Sequence, residues 1–354
     1  MADRPPTNAH RSASAHGKGQ TPRHALVTGG AGFIGSHLVE HLLDQGVEIT
    51  VIDNLSTGRI ENLGRVIDSI TLIEDDVDRG LDRLSGDDAD GRAFDEIYHL
   101  AAAVGVDLVL DDPIGSIKTN IAQTDAVFEF AIANGHPRTL IASSSEVYGK
   151  PNTGVFSEDD DLHFGPTTIT RWSYAHAKAI DEHLALGYWH QHQLPTVICR
   201  FFNTVGPRQV GRYGMVLPRF VGAAIKNEPV RVFGDGSQTR CFCDGRDVIE
   251  ALPKMVRSEQ CAGRVFNVGS DHPITILELA ERVIETLGST STIELVPYCD
   301  AYRAGFEDLR HRKPNLDRIK EAVGFEPKFT LTQTIEDLAI ELANPGTITT
   351  RREA

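Results

Sequence analysis

Tyr174 and Lys178 stand four residues apart in Tyr174-Ala-His-Ala-Lys178. On a helix that spacing puts both side chains on one face. A free phenol ionises near pH 10, but a neighbouring ammonium favours the phenolate, so the pair could accept a proton from a substrate hydroxyl. The second chemical group is Thr28-Gly-Gly-Ala-Gly-Phe-Ile-Gly35, read either as Gly29-x-x-Gly32-x-x-Gly35 or as Gly30-x-Gly32-x-x-Gly35. Glycines in such a turn let the backbone bend tightly and approach a pyrophosphate. The helix that opens with Phe33 and Ile34 would present free N–H groups to the phosphates. Asp53 lies 21 residues after Gly32, at the end of the next β-branched run. A carboxylate there binds the adenosine ribose hydroxyls and repels a 2′-phosphate, which favours NAD over NADP. Asn54 beside it, Asp76 and Val77 near the adenine, and Leu100, Ala101 and Ala102 along the cofactor complete the expected binding set.

These residues need a scaffold that alternates strands and helices. Apolar or β-branched runs at 24–30, 47–53, 70–77, 96–102, 139–145 and 195–203 read as strands. Amphipathic stretches at 33–45, 114–134 and 173–193 read as helices between them. Such alternation predicts an α/β fold: a Rossmann-type, doubly wound parallel sheet covered on both faces. Beyond residue 204 Gly, Pro and Arg punctuate the chain, and shorter helical patterns follow at 276–287 and 331–343. The expected organisation is a disordered N-terminal extension at 1–22, a NAD-binding domain at 23–203, and a smaller mixed α/β substrate lobe at 204–354. That border is soft, because strands of the first lobe are expected to recur within the second.

Composition narrows the partners. The 354 residues carry a formal net charge of −15, which argues against non-specific binding to nucleic acid or an anionic membrane. No apolar run approaches a membrane span. The five cysteines are odd in number and scattered, as in a reduced cytoplasmic protein. Cys241-Phe-Cys243 has no Cys/His pair nearby to complete a metal site, so no metal is expected. Residues 1–22 are rich in Pro, Ser, His and Gly and lack the apolar core of a secretory signal; an organellar transit peptide is the lesser alternative.

The Ser-rich turn Ser143-Ser144-Ser145-Glu146-Val147-Tyr148-Gly149, ahead of Tyr174, completes a recognisable set. From about residue 24 to 343 the chain resembles the extended short-chain dehydrogenase/reductase family, and within it the nucleotide-sugar epimerases, dehydratases and decarboxylases. The resemblance implies that Tyr174 takes the proton of a sugar C4 hydroxyl while hydride leaves to tightly bound, recycled NAD. Lys178 would bind the nicotinamide ribose and lower the Tyr174 pKa, and Ser144 would hydrogen-bond the reacting oxygen, with Ser145 close behind. Asn203 and Arg240 look like contacts to the substrate diphosphate. Arg310 and Arg312 match the family's late arginine region, one for the diphosphate and the other for a sugar carboxylate, with the assignment between them open. Relatives pair the helices near 114–134 and 173–193 into a four-helix dimer interface, so a homodimer is expected; core packing would explain the same apolar stripes.

Glu146 divides the subfamilies. The Ser-Glu-Val-Tyr-Gly form resembles that of UDP-glucuronate decarboxylases and sugar 4,6-dehydratases, in which a carboxylate positions the ring or takes the C5 proton. Simple UDP-hexose 4-epimerases usually carry a small or neutral residue there. Decarboxylation or dehydration of a UDP-sugar through a 4-keto intermediate is therefore expected, with UDP-glucose 4-epimerisation as the alternative. A non-catalytic NAD-binding regulator is the remote alternative, and it would be expected to lack the Tyr or the Lys. Two segments depart from the family pattern: residues 167–172, and Cys241-Phe-Cys-Asp-Gly-Arg-Asp247, where Gly245 is expected to loosen a helix start.

Overall fold

A computed structural model describes residues 23–85, 93–102, 111–150, 154–211, 215–301, 310 and 312–344. The expected extension at 1–22 lies outside them. Six strands run in chain order through the first half: β1 (His24–Thr28), β2 (Glu48–Asp53), β3 (Thr71–Glu74), β4 (Glu96–His99), β5 (Arg138–Ser144) and β6 (Thr196–Phe201). Short strands follow in the second half: β7 (Thr204–Val205), β8 (Val230–Phe233), β9 (Thr239–Cys241), β10 (Cys243–Asp244), β11 (Arg264–Val268), β12 (Pro273–Thr275) and β13 (Ile293–Val296). The main sheet has seven strands in the order β11-β6-β5-β4-β1-β2-β3, and every pair in it is parallel. All five residues of β1 are buried, as a strand covered by helices on both faces requires.

The order reverses at β1, which pairs with β2 on one side and β4 on the other. Chain segments leaving β1 and β4 therefore diverge and open a crevice beyond their carboxyl ends, where such folds bind ligands. Among the described residues, four helices cover this half: α1 (Phe33–Asp44), α2 (Val77–Ser85), α3 (Pro113–Ala133) and α4 (Trp172–His192). Pro113 opens α3 at a position where no N–H is needed, and Asp112 Oδ1 accepts the Gly115 N–H at 2.9 Å. The packed pair α3 and α4 lies beside β5 and β6, which puts Tyr174 at the mouth of the crevice.

The second half adds α5 (Val216–Ile225), α6 (Gly245–Arg257), α7 (Ile276–Thr286), α8 (Tyr298–Ala301), α9 (Asp317–Val323) and α10 (Leu331–Ala343). Its own core gathers Leu217, Phe220, Val232, Leu279, Ile335 and Leu338. It does not keep all of its chain to itself. β11 forms the outer edge of the main sheet, and α6 packs against α1 in the core shared with β1 and β2. Pro253 lies inside α6 and removes an internal hydrogen bond, which argues locally against a helix there. Gly245 does not loosen this helix. Asp244 Oδ1 caps it by accepting the Arg246 N–H at 2.9 Å, and a Cβ at 245 would sit 2.9 Å from the Phe33 ring. The glycine lets the cofactor helix and α6 meet.

Candidate active site

One cavity of about 730 Å³ runs from the glycine turn to Arg312. At its cofactor end the turn after β1 is set by backbone crowding. Gly29 has φ +73°, and a Cβ there would meet the Ala101 backbone N at 2.6 Å. A Cβ on Gly35 would fall 2.1 Å from Gly29 O, and one on Gly30 would meet Val51 Cγ1 at 2.6 Å. Gly32 is the N-cap of α1 in ordinary extended conformation, φ −74°. The geometry thus requires Gly29, Gly30 and Gly35 together, so both readings of the motif hold part of the constraint.

Asp53 ends β2 with its carboxylate on the cavity wall. Oδ2 accepts the Ala31 N–H and Oδ1 the Leu55 N–H, each at 2.8 Å. Burial raises its pKa, and the two N–H bonds oppose that rise. Asn54, Val77, Leu100, Ala101 and Ala102 line the same end, with Phe33 and Ile34 of α1. Asp76 instead accepts a hydrogen bond from Asn54 Nδ2 at 2.8 Å, and its neighbour Asp75 stands on the wall. A turn that leaves no room for a Cβ, a helix N-terminus and a buried acid fit a dinucleotide without a 2′-phosphate.

The catalytic end begins where β5 runs into the 3₁₀ turn Ser145–Tyr148. Ser144 caps that turn by accepting the Glu146 N–H at 3.2 Å, and it lines the cavity wall with Tyr174. Ser145 is buried on the wall beside it. Behind the turn, Glu182 takes Arg200 bidentately at 2.9 and 2.7 Å and the Ser143 hydroxyl at 2.5 Å, which locks α4 to β5 and β6. Burial raises the Tyr174 pKa above the ordinary tyrosine value; Glu146 and Asp181 raise it further, and Ser144 opposes them. Lys178 lines the same cavity wall as Tyr174. Its Nζ pairs with Asp181 Oδ2 at 3.0 Å, a partner that the sequence reading missed.

Glu146 sits between two arginines. Arg312 Nη2 reaches Oε1 at 2.5 Å, and Arg171 Nη2 lies 3.1 Å from Oε2. Burial opposes its charge, yet Arg312 and Arg171, with Arg240 behind them, pull its pKa down to about 2. A carboxylate so held is a poor proton acceptor at neutral pH and a firm anionic anchor. Arg171 was not among the residues singled out from sequence; it lies in segment 167–172, and its place three residues before Tyr174 was the available signal. Arg240 and Asn203 also line the cavity, and Asn203 Nδ2 donates to Cys241 O at 3.1 Å. Of the two late arginines, Arg312 reaches the cavity. Arg310 is exposed and off the wall, with its carbonyl accepting the Thr239 N–H at 2.8 Å.

Cys241 and Cys243 are buried in β9 and β10, and burial pushes the Cys241 thiol up to about 12. Among the described residues no helix is long and apolar enough to cross a membrane.

A 3-2-1-4-5-6 parallel sheet, a dinucleotide crevice at its switch point and a Tyr–Lys pair on the facing helix define a Rossmann-fold enzyme of the short-chain dehydrogenase/reductase type. More narrowly, the chain belongs to the NAD dependent epimerase/dehydratase family, whose pattern it matches over residues 25–269. It is 38% identical to the UDP-N-acetyl-alpha-D-glucosaminuronate decarboxylase of Bacillus cytotoxicus over 316 residues, 89% of this chain and 96% of that protein. It is 34% identical to UDP-glucuronic acid decarboxylase 1 of Arabidopsis thaliana, covering 93% of this chain and 72% of that one. Among solved structures, UDP-glucuronic acid 4-epimerase of Bacillus cereus, in complex with UDP-glucuronic acid and NAD, superposes with a TM-score of 0.78 at 26% identity, over 90% of this chain and 99% of that one.

Proposed function

We propose that this protein is a UDP-uronate decarboxylase, acting on UDP-glucuronate or its 2-acetamido counterpart. The observation that carries the reading is Glu146, held ionised between Arg171 and Arg312 on the wall that also bears Tyr174 and Ser144. Bound NAD supplies a hydride acceptor that takes the C4 hydrogen and later returns it, so the cofactor is retained and recycled. Tyr174 accepts the C4 hydroxyl proton, and the Ser144 hydroxyl steadies the same oxygen. The resulting 4-keto sugar is a β-keto acid: its C5–C6 bond breaks, CO₂ leaves, and the electron pair moves into the C4 enolate. A proton from solvent is then added at C5, where the carboxylate stood, and Tyr174 gives its proton back to the C4 oxygen as C4 is reduced.

Decarboxylation needs a carboxylate that is bound but not locked in place. Arg171 and Arg312 can orient the substrate carboxylate, while Glu146 shares their charge and weakens that grip. Dehydration would need Glu146 as a base at C5, and its low pKa speaks against that role. Asn203 and Arg240 bind the diphosphate, and Asp53, with the turn Gly29 to Gly35, holds NAD. The chain pairs with a second copy through α3 and α4, where Ile114 and Ile180 are 67% and 43% exposed. Sedimentation showing only monomer at micromolar concentration would refute the dimer.

Purified protein incubated separately with UDP-glucuronate, UDP-N-acetylglucosaminuronate and UDP-glucose should release CO₂ and yield a UDP-pentose from one of the uronates. Recovery of 4-epimers alone would overturn the decarboxylase reading.

A further inference from the structure

The described residues hold a buried polar line that the reaction above does not use. It begins at the glycine turn, where Thr28 Oγ1 meets His99 Nδ1 at 2.7 Å. On its other side His99 Nε2 meets Thr124 Oγ1 of α3 at 3.2 Å. The Thr124 hydroxyl faces the Asp181 carboxyl, and Asp181 Oδ2 takes the Lys178 ammonium at 3.0 Å. The side chains of Lys178 and Asp181 are 2% and 0% exposed. His99 is neutral, its pKa lowered to about 3 by burial and by the Lys178 charge.

We propose that Asp181 is a positioning residue that governs when Tyr174 can act as a base, by taking the Lys178 ammonium as its own ion-pair partner. The proposal rests on the reading of Tyr174 as the proton acceptor. At i and i+3 on α4, Asp181 lies one turn beyond Lys178, on the side away from Tyr174 at i−4. Its carboxylate therefore offsets the ammonium charge that would otherwise favour the phenolate. A buried ammonium without a partner would be strongly disfavoured, so Asp181 also permits Lys178 to be charged there. Its own negative charge is felt by the phenol: Asp181 stands with burial and Glu146 among the causes that keep Tyr174 protonated. Asp181 Oδ1 is buried without a hydrogen bond of normal geometry, although the Thr124 hydroxyl is near enough to favour the charged form. The other ionisable groups around the pair are Glu182 on α4, His99 on β4 and Glu146 on the turn after β5.

The test is Asp181→Asn, which keeps shape and removes charge. In NAD-loaded protein labelled with [ζ-¹³C]tyrosine, the Tyr174 resonance is assigned by its loss in Tyr174→Phe and followed with pH. The variant signal should lie closer to the phenolate position than wild type at alkaline pH. The acid limb of kcat/KM should move to lower pH by about half a unit or more. Coinciding resonances at every pH, with a fall in kcat alone, would show a structural role and overturn the proposal. Should the Asn variant fail to fold, Asp181→Ser removes the same charge, keeps a hydroxyl for Lys178, and is read in the same way. The resonance reports on Asp181 whichever sugar is the substrate. Failure of the decarboxylase reading would show in the product assay instead.

Discussion

Arg312 Nη2 lies 2.5 Å from Glu146 Oε1, joining two positions 166 residues apart in the chain. One stands on the turn after β5 and the other just before α9, so the contact closes the second half of the molecule over the first. Arg171, at the start of α4, holds the second oxygen. The reacting end of the cavity is therefore framed by three charges from three separate segments.

Glu146→Gln should lower kcat far more than it raises KM for the nucleotide, because the diphosphate contacts lie elsewhere. It should also destabilise the fold in a pH-dependent way. The flanking arginines hold the folded carboxyl at about 2, below its ordinary 4.5, so its stabilisation is complete above 4.5 and is lost as pH falls through 2. The upper bound is about 3 kcal/mol at neutral pH. Urea unfolding of both proteins as the pH is lowered checks this: the gap between them should close below 4.5.

Tyr174→Phe removes the phenol proposed to accept the C4 proton and leaves the Asp181–Lys178 pair in place. Turnover should drop roughly 10²–10⁴-fold with NAD affinity little changed, as read by single-turnover kinetics and calorimetry. Unchanged turnover would contradict the chemistry assigned to the phenol.

Asp53→Ser takes a carboxylate from the cofactor end and leaves the Ala31 and Leu55 N–H groups without their acceptor. Charged hydrogen bonds of this kind contribute about 1.5–3 kcal/mol, so NAD should bind roughly 10- to 100-fold more weakly. Discrimination against NADP should narrow at the same time, and titration calorimetry with both cofactors measures it.

His37 and His99 are buried and neutral, each with its pKa lowered from 6.5 to about 3, burial being the main cause. In the unfolded chain both take up protons below 6.5. Their contribution to stability is therefore present above 6.5 and is lost progressively as pH falls toward 3. The urea midpoint should decline over that interval, and His99→Gln should flatten the slope even though it lowers the starting value.

The elements most legible in the sequence are those whose constraint is local. Gly29 is required by its own positive φ and Gly35 by backbone atoms of its own turn, and the spacing to Asp53 follows from one helix and one strand. Tyr174 and Lys178 share a helix face by period alone. α6 was less legible, because Pro253 lies inside it and argues locally against a helix. Gly245 looked like a weak helix start until the Phe33 ring was found against it.

The sequence by itself determined the class of scaffold and the cofactor end, because glycine crowding, strand alternation and a carboxylate at the end of β2 act over short stretches of chain. Tertiary structure alone decided the charge at the reacting end. Glu146 could have been a base until Arg171 and Arg312 closed on it. Proton affinity depends on burial and on charges within a few ångströms, and folding brings those charges from distant positions in the chain.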